Sequence, residues 1–143
     1  MADCQVDFYI LDTAGEDSGK LACRLAVMSW ERGHQTLLIA PTPDQARSLD
    51  ELLWSYPPER FAPHGIAGEP AAVKAPIIIA MDPDQASADV VINLCPQPID
   101  QPERFQRLLE IVPGIEEERR ASREKFRFYR QRGLAPKTHE ISK

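Results

Sequence analysis

Four short apolar runs constrain this chain most: QVDFYIL at 5–11, TLLIA at 36–40, IIIA at 77–80 and VVINL at 90–94. The last two are continuous rather than alternating, as in strands covered on both faces. Helical patterns separate the runs. Leu21, Leu25 and Met28 share a stripe in 17–32, with Asp17 or Ser18 as cap and Gly33 behind. Thr42-Pro43 opens a second helix, whose Ala46, Leu49, Leu52 and Leu53 lead to a stop at Tyr56-Pro57-Pro58. Residues 61–76, with three prolines and two glycines, read as a loop holding a short extended piece. The pattern predicts a third helix over 102–112, broken by Pro113-Gly114, and a fourth over 115–132, ended by Gly133.

Strands alternating with helices in this way predict an α/β chain: a Rossmann-like three-layer fold with a mostly parallel sheet. The 143 residues suit one domain spanning 1–143, with 134–143 expected as an aperiodic, mobile tail. The longest apolar runs, 77–81 and 90–95, fall far short of the roughly 18 residues of a membrane helix. The N-terminus, MADCQVDFYI, has no basic start before an apolar core and does not read as a secretory signal. Cys4, Cys23 and Cys95 are scattered and odd in number, against a disulfide framework or a zinc site, and a reducing cytoplasm is the expected setting.

The best nucleotide candidate fails on spacing. Gly15-Glu16-Asp17-Ser18-Gly19-Lys20 puts three residues between its glycines, where a P-loop needs four. Leu21 replaces the hydroxyl that would hold magnesium, and Glu16 and Asp17 would repel phosphate. A capped surface loop fits better, so the fold is expected without a nucleotide site. His34, His64 and His139 lack metal-ligand spacing, no GxSxG occurs, and Asp82 and Asp84 flank Pro83 as a turn would. Nothing here assembles an active site, and no cofactor or metal is expected.

Charge is where the chain becomes informative. The net charge is −5, but residues 119–143 carry nine Lys or Arg against two acids, while 1–118 carry eight against twenty. A +7 end on a −12 body suggests that the end meets something negative. Arg120, Arg123, Arg127 and Arg130 recur at i, i+3, i+7 and i+10 and share one helix face. Phe126 sits among them, and Val112 and Ile115 just before the helix could complete an apolar pocket. Such a pocket with an arginine rim suits a short acidic peptide, its terminal carboxylate taken by a guanidinium fork. A solvated charged face, or contact with nucleic-acid phosphates, fits the charge pattern as well. A second cluster, Leu53-Trp54 with Pro57-Pro58 and Phe61-Ala62-Pro63-His64, is either local core or an aromatic interface.

The residues also resemble a family, the chi subunit of bacterial DNA polymerase III holoenzyme. The likeness runs through Phe8-Tyr9-Ile10-Leu11-Asp12, Trp30-Glu31-Arg32-Gly33, Leu37-Leu38-Ile39-Ala40 and Leu49-Asp50-Glu51-Leu52-Leu53-Trp54. It continues in Phe61-Ala62-Pro63-His64, Ala67-Gly68-Glu69 and the basic-aromatic Arg123-Glu124-Lys125-Phe126-Arg127-Phe128-Tyr129-Arg130. The resemblance implies a Rossmann-like fold without nucleotide chemistry and a non-catalytic accessory role in the clamp-loader assembly during DNA replication. It implies a bridge between the psi subunit and the acidic C-terminal tail of single-stranded-DNA-binding protein, with DNA contact indirect. The tail site would carry over to Val112, Arg123, Phe126 and Arg127, with Arg120 and Arg130 along the tail's aspartates. Better-known members have Tyr at the position of Phe126 and Lys at that of Arg127. The first change removes a hydroxyl, and the second keeps the charge and gains a fork. The psi surface, or that of a helicase using the same place, would fall on Trp54, Phe61 and Pro63. The rivals from other classes are a small nucleotide-binding α/β enzyme and a direct single-stranded-DNA binder.

Overall fold

The computed structural model describes residues 4–11, 18–55 and 62–141. Its strands are β1 (Gln5–Leu11), β2 (Thr36–Ile39), β3 (His64–Ile66), β4 (Ile77–Ala80), β5 (Val90–Asn93), β6 (Arg107–Val112) and β7 (Lys137–Ile141). They form one sheet in the order β3-β4-β2-β5-β6-β1-β7, and each of these pairings is parallel. The helices are α1 (Ser18–Glu31), α2 (Pro43–Ser55) and α3 (Glu116–Gln131). The fold is therefore α/β and Rossmann-like, as expected.

Strand alternation sorts the core into two layers. Leu38, Ile79, Ile92 and Ile111 face α1 and α2, which bury Leu21, Ala22, Ala26, Leu49 and Leu53 against them. Phe8, Leu37, Ile39, Leu108 and Val112 face the other way, toward Tyr129 of α3 and Leu134. The helix ends follow local chemistry. Thr42 Oγ1 accepts the Gln45 N–H at 3.2 Å at the start of α2. Glu116, Glu117 and Glu118 place negative charge on the first turn of α3. Gly133, at φ +86°, closes α3, and the Leu134 N–H returns to the Tyr129 carbonyl at 3.1 Å. Gly65 is required by space, since a Cβ there would lie 2.4 Å from the Ala72 nitrogen.

Two segments depart from the sequence reading. The helix predicted over 102–112 is instead a 3-10 turn at Pro102–Arg104 followed by β6. Leu108, Leu109, Ile111 and Val112 satisfy helical spacing, but the slot between β5 and β1 takes an extended chain and pairs it on both edges. The chain after Gly133, read as an aperiodic tail, supplies β7 on the outer edge of β1. The loop over 61–76 does contain its short extended piece, β3, and a 3-10 turn at Pro70–Ala72.

Candidate functional site

What mounts α3 on the sheet is a buried polar cluster. Glu110, at the centre of β6, is fully buried. Lys125 Nζ donates to its Oε1 at 2.7 Å and also to the Cys95 carbonyl. The Tyr129 hydroxyl donates to its Oε2 at 2.5 Å and accepts the Ile99 N–H at 2.8 Å. Asn93 Nδ2 donates to the same carboxylate at 3.0 Å and to the Gln97 carbonyl at 2.8 Å. Burial pushes the Glu110 carboxyl above its ordinary range, against the pull of Lys125 and these donors. Lys125 and Tyr129, one helical turn apart, thus point inward. At about 100° per residue the arginine stripe must point outward.

The stripe does face outward: Arg120, Arg123, Arg127 and Arg130 are all exposed. Other cations of the basic end are engaged elsewhere. Lys125 is buried, Arg132 makes a forked pair with Glu103 at 2.7 and 2.8 Å, and Arg119 donates to the Leu11 carbonyl at 3.3 Å. Arg123 lies 3.8 Å from Glu116, and Arg127 lies 3.0 Å from Glu124. These are solvent-facing pairs, each worth about 0–1 kcal/mol and easily exchanged for another carboxylate.

Arg123, Phe126, Arg127 and Arg130 line one shallow hollow of about 510 Å³, with Gln131. Phe126 is half-buried, its ring 5.4 Å from that of Phe8. The structure therefore brings together four of the six residues assigned to this site. Arg120 is on the same exposed stripe but outside the hollow. Val112 is not brought in: it is 2% exposed and belongs to the core layer beneath Phe126. Ile115 is exposed at the helix start and does not line the hollow. A smaller hollow of about 220 Å³ adjoins at Arg123, with Ile10, Leu11, Arg119, Ser122 and Glu140. Glu140 carries no sequence signal of its own, because β7 is a polar edge strand without an apolar period.

The second surface lies across the sheet. Trp54 is 62% exposed at the end of α2, its ring edge-to-face on His64 at 5.0 Å. His64 is buried, with Nδ1 2.7 Å from the Ala62 carbonyl and Nε2 3.1 Å from that of Asp50. Pro63 is exposed beside it. Phe61 and Pro57-Pro58 lie outside the described residues, as do Gly15, Glu16 and Asp17 of the nucleotide candidate. Beyond β2, β5 and β6, where doubly wound folds hold ligands, a cavity of about 750 Å³ is lined by Pro41, Leu94, Pro113, Glu51 and Glu118 among others. Among the described residues two carboxylates and no Lys or Arg line it, a poor setting for phosphate. Among the described residues no three His, Cys, Asp or Glu side chains group as metal ligands, and no helix is long and apolar enough to cross a membrane.

Fold and surface together define a class: a doubly wound parallel α/β domain displaying an arginine-faced helix on one side of its sheet and an exposed tryptophan on the other. Comparison with known proteins narrows this. The family model for the DNA polymerase III chi subunit, HolC, matches residues 4–137, so the chain belongs to that family. It is 35% identical over 139 residues to the DNA polymerase III subunit chi of Pseudomonas aeruginosa, covering 96% of each chain. The Escherichia coli subunit chi is 32% identical over 134 residues (89% of this chain, 91% of that one). That of Haemophilus influenzae is 28% identical over 137 residues (94% and 95%). Membership assigns the chain to DNA replication, as a subunit of the polymerase III system.

Proposed function

We propose that this chain is a non-catalytic adaptor that tethers the replicative clamp loader to protein-coated single-stranded DNA. The arginine face of α3 takes the acidic C-terminal tail of single-stranded-DNA-binding protein. The Trp54 and Pro63 surface, with Phe61, takes the psi subunit or a helicase using the same place. DNA contact is then indirect. One observation carries the reading: Arg123, Arg127 and Arg130 rim a single exposed hollow whose apolar wall is Phe126. Three guanidinium groups supply forks for a terminal carboxylate and neighbouring aspartates, and the ring supplies a surface for an apolar last side chain. Val112 supports that ring from beneath rather than touching the ligand. The clustered cations make the interaction salt-sensitive.

The test is fluorescence polarisation with a labelled acidic peptide ending in a free-carboxylate phenylalanine. Arg123→Glu should weaken binding by at least about 30-fold, the cost of reversing a charge at a forked contact, while the thermal melt stays within error. Unchanged affinity would remove this site from consideration. A naked single-stranded oligonucleotide, run in parallel at physiological salt, should bind far more weakly than the peptide.

A further inference from the structure

Arg123 stands between two hollows of different character. Among the described residues the larger is lined by three arginines, Phe126 and Gln131 and by no carboxylate, while Glu116 and Glu124 pair with Arg123 and Arg127 beside it. The smaller has Arg119 and Arg123, but it also has Glu140. β7 delivers that residue because its register sets Glu140 beside Ile10 of β1, and Ile10 packs in the core layer on the α3 side. Side chains alternate along a strand, so His139 points to the opposite face. There His139 Nε2 lies 2.8 Å from the buried Asp7 carboxylate, and its ring stacks on Tyr9 at 4.9 Å. That anchor fixes where Glu140 stands.

We propose that Glu140 is a specificity-determining residue of the basic site: it closes the small hollow to carboxylates, so an anionic peptide is admitted only on the Phe126 side of Arg123. This rests on the acidic-tail reading above. A ligand carboxylate entering the small hollow meets a like charge as well as two guanidinium groups. In the large hollow it meets three guanidinium groups, two of them held only in solvent-facing pairs with Glu116 and Glu124 that a ligand carboxylate can displace. Glu140 thus sets the direction in which the peptide lies on α3 and taxes ligands with more acids than the large hollow accepts.

The experiment titrates two labelled peptides, one rich in aspartate with a free carboxyl terminus, the other its asparagine, C-terminally amidated counterpart. Glu140 is exposed, so its variants should melt like the parent. Glu140→Gln should bind the acidic probe about 3-fold tighter and Glu140→Lys roughly 10-fold tighter, the scale of one exposed charge contact removed or reversed. The neutral probe should bind all three proteins alike. If both variants match the parent on the acidic probe, or bind it more weakly, while Arg123→Glu still weakens binding by at least about 30-fold, Glu140 has no such role and the tail reading stands. If Arg123→Glu also leaves binding unchanged, the tail reading fails and this inference fails with it.

Discussion

Glu110 decides how α3 sits. A fully buried carboxylate is tolerable only with its partners in place, and here Lys125, Tyr129 and Asn93 all converge on it. Lys125→Met removes the ammonium and leaves the carboxylate in a low-dielectric core. Breaking one side of a buried pair costs about 3–5 kcal/mol. Urea denaturation should show a loss of that order, partly restored in Lys125→Met/Glu110→Leu because both polar ends then go. An equally unstable double variant would mean that the loss does not come from stranding the Glu110 carboxylate. Lys125 also shows the limit of counting charges. By sequence it belongs to the basic end, beside Arg123. In space it shares the inward face with Ser122 and Tyr129. The i, i+4 pairing with Tyr129 was readable, but its buried acid lay in a segment read as helix. Phe126 and the exposed stripe were legible from helical spacing, whereas Val112 needed β6 to be seen as a strand before its burial made sense.

At the scale of elements, the runs at 36–40, 77–80 and 90–94 were legible because continuous apolar strands have few other homes. β6 was not, because four apolar residues at 108, 109, 111 and 112 suit either period and only the sheet arbitrates. β7 was not, because KTHEI is polar and stands at an edge, held by β1 and one anchored side chain. That anchor is testable. Asp7 is buried, which by itself would raise its pKa. Hydrogen bonds from His139, Arg107 and Gln5, with the Arg107 charge, outweigh burial and hold the carboxyl below its ordinary value of 3.8. A carboxyl depressed by folding contributes stability above its unfolded pKa and loses it as pH falls through that value toward the folded one. Asp7→Asn should therefore cost about 1–3 kcal/mol at neutral pH, the range for losing the charge-assisted hydrogen bonds of a buried acceptor. The gap to the parent should shrink once pH drops below about 4. Guanidinium denaturation at pH 7 and pH 3 measures it, and a gap that does not narrow would mean that the carboxylate charge is not what secures β7.

For the whole molecule, the division of the core into two layers has a functional consequence. Trp54 projects from the α1–α2 side, near the β3 edge; the arginine hollow is on α3, across the sheet. Between them lies a close-packed parallel sheet, buried on both faces, with no described element contributing to both surfaces. Packed sheets do not deform continuously, and sites sharing no partners couple weakly. On the adaptor function proposed above, a chain built this way would hold two partners without either altering the other's affinity, which is what a passive tether requires. Isothermal titration of the acidic peptide should accordingly give the same Kd for the parent, for Trp54→Ala, and for the parent saturated with its partner on the tryptophan surface. The reverse titration should be equally indifferent to Arg123→Glu. Agreement within about 2-fold is expected, since uncoupled sites add to within roughly 0.3–0.5 kcal/mol. A shift beyond about 10-fold would mean that the sheet transmits occupancy, and the molecule would then be a switch in the replication machinery rather than a strut.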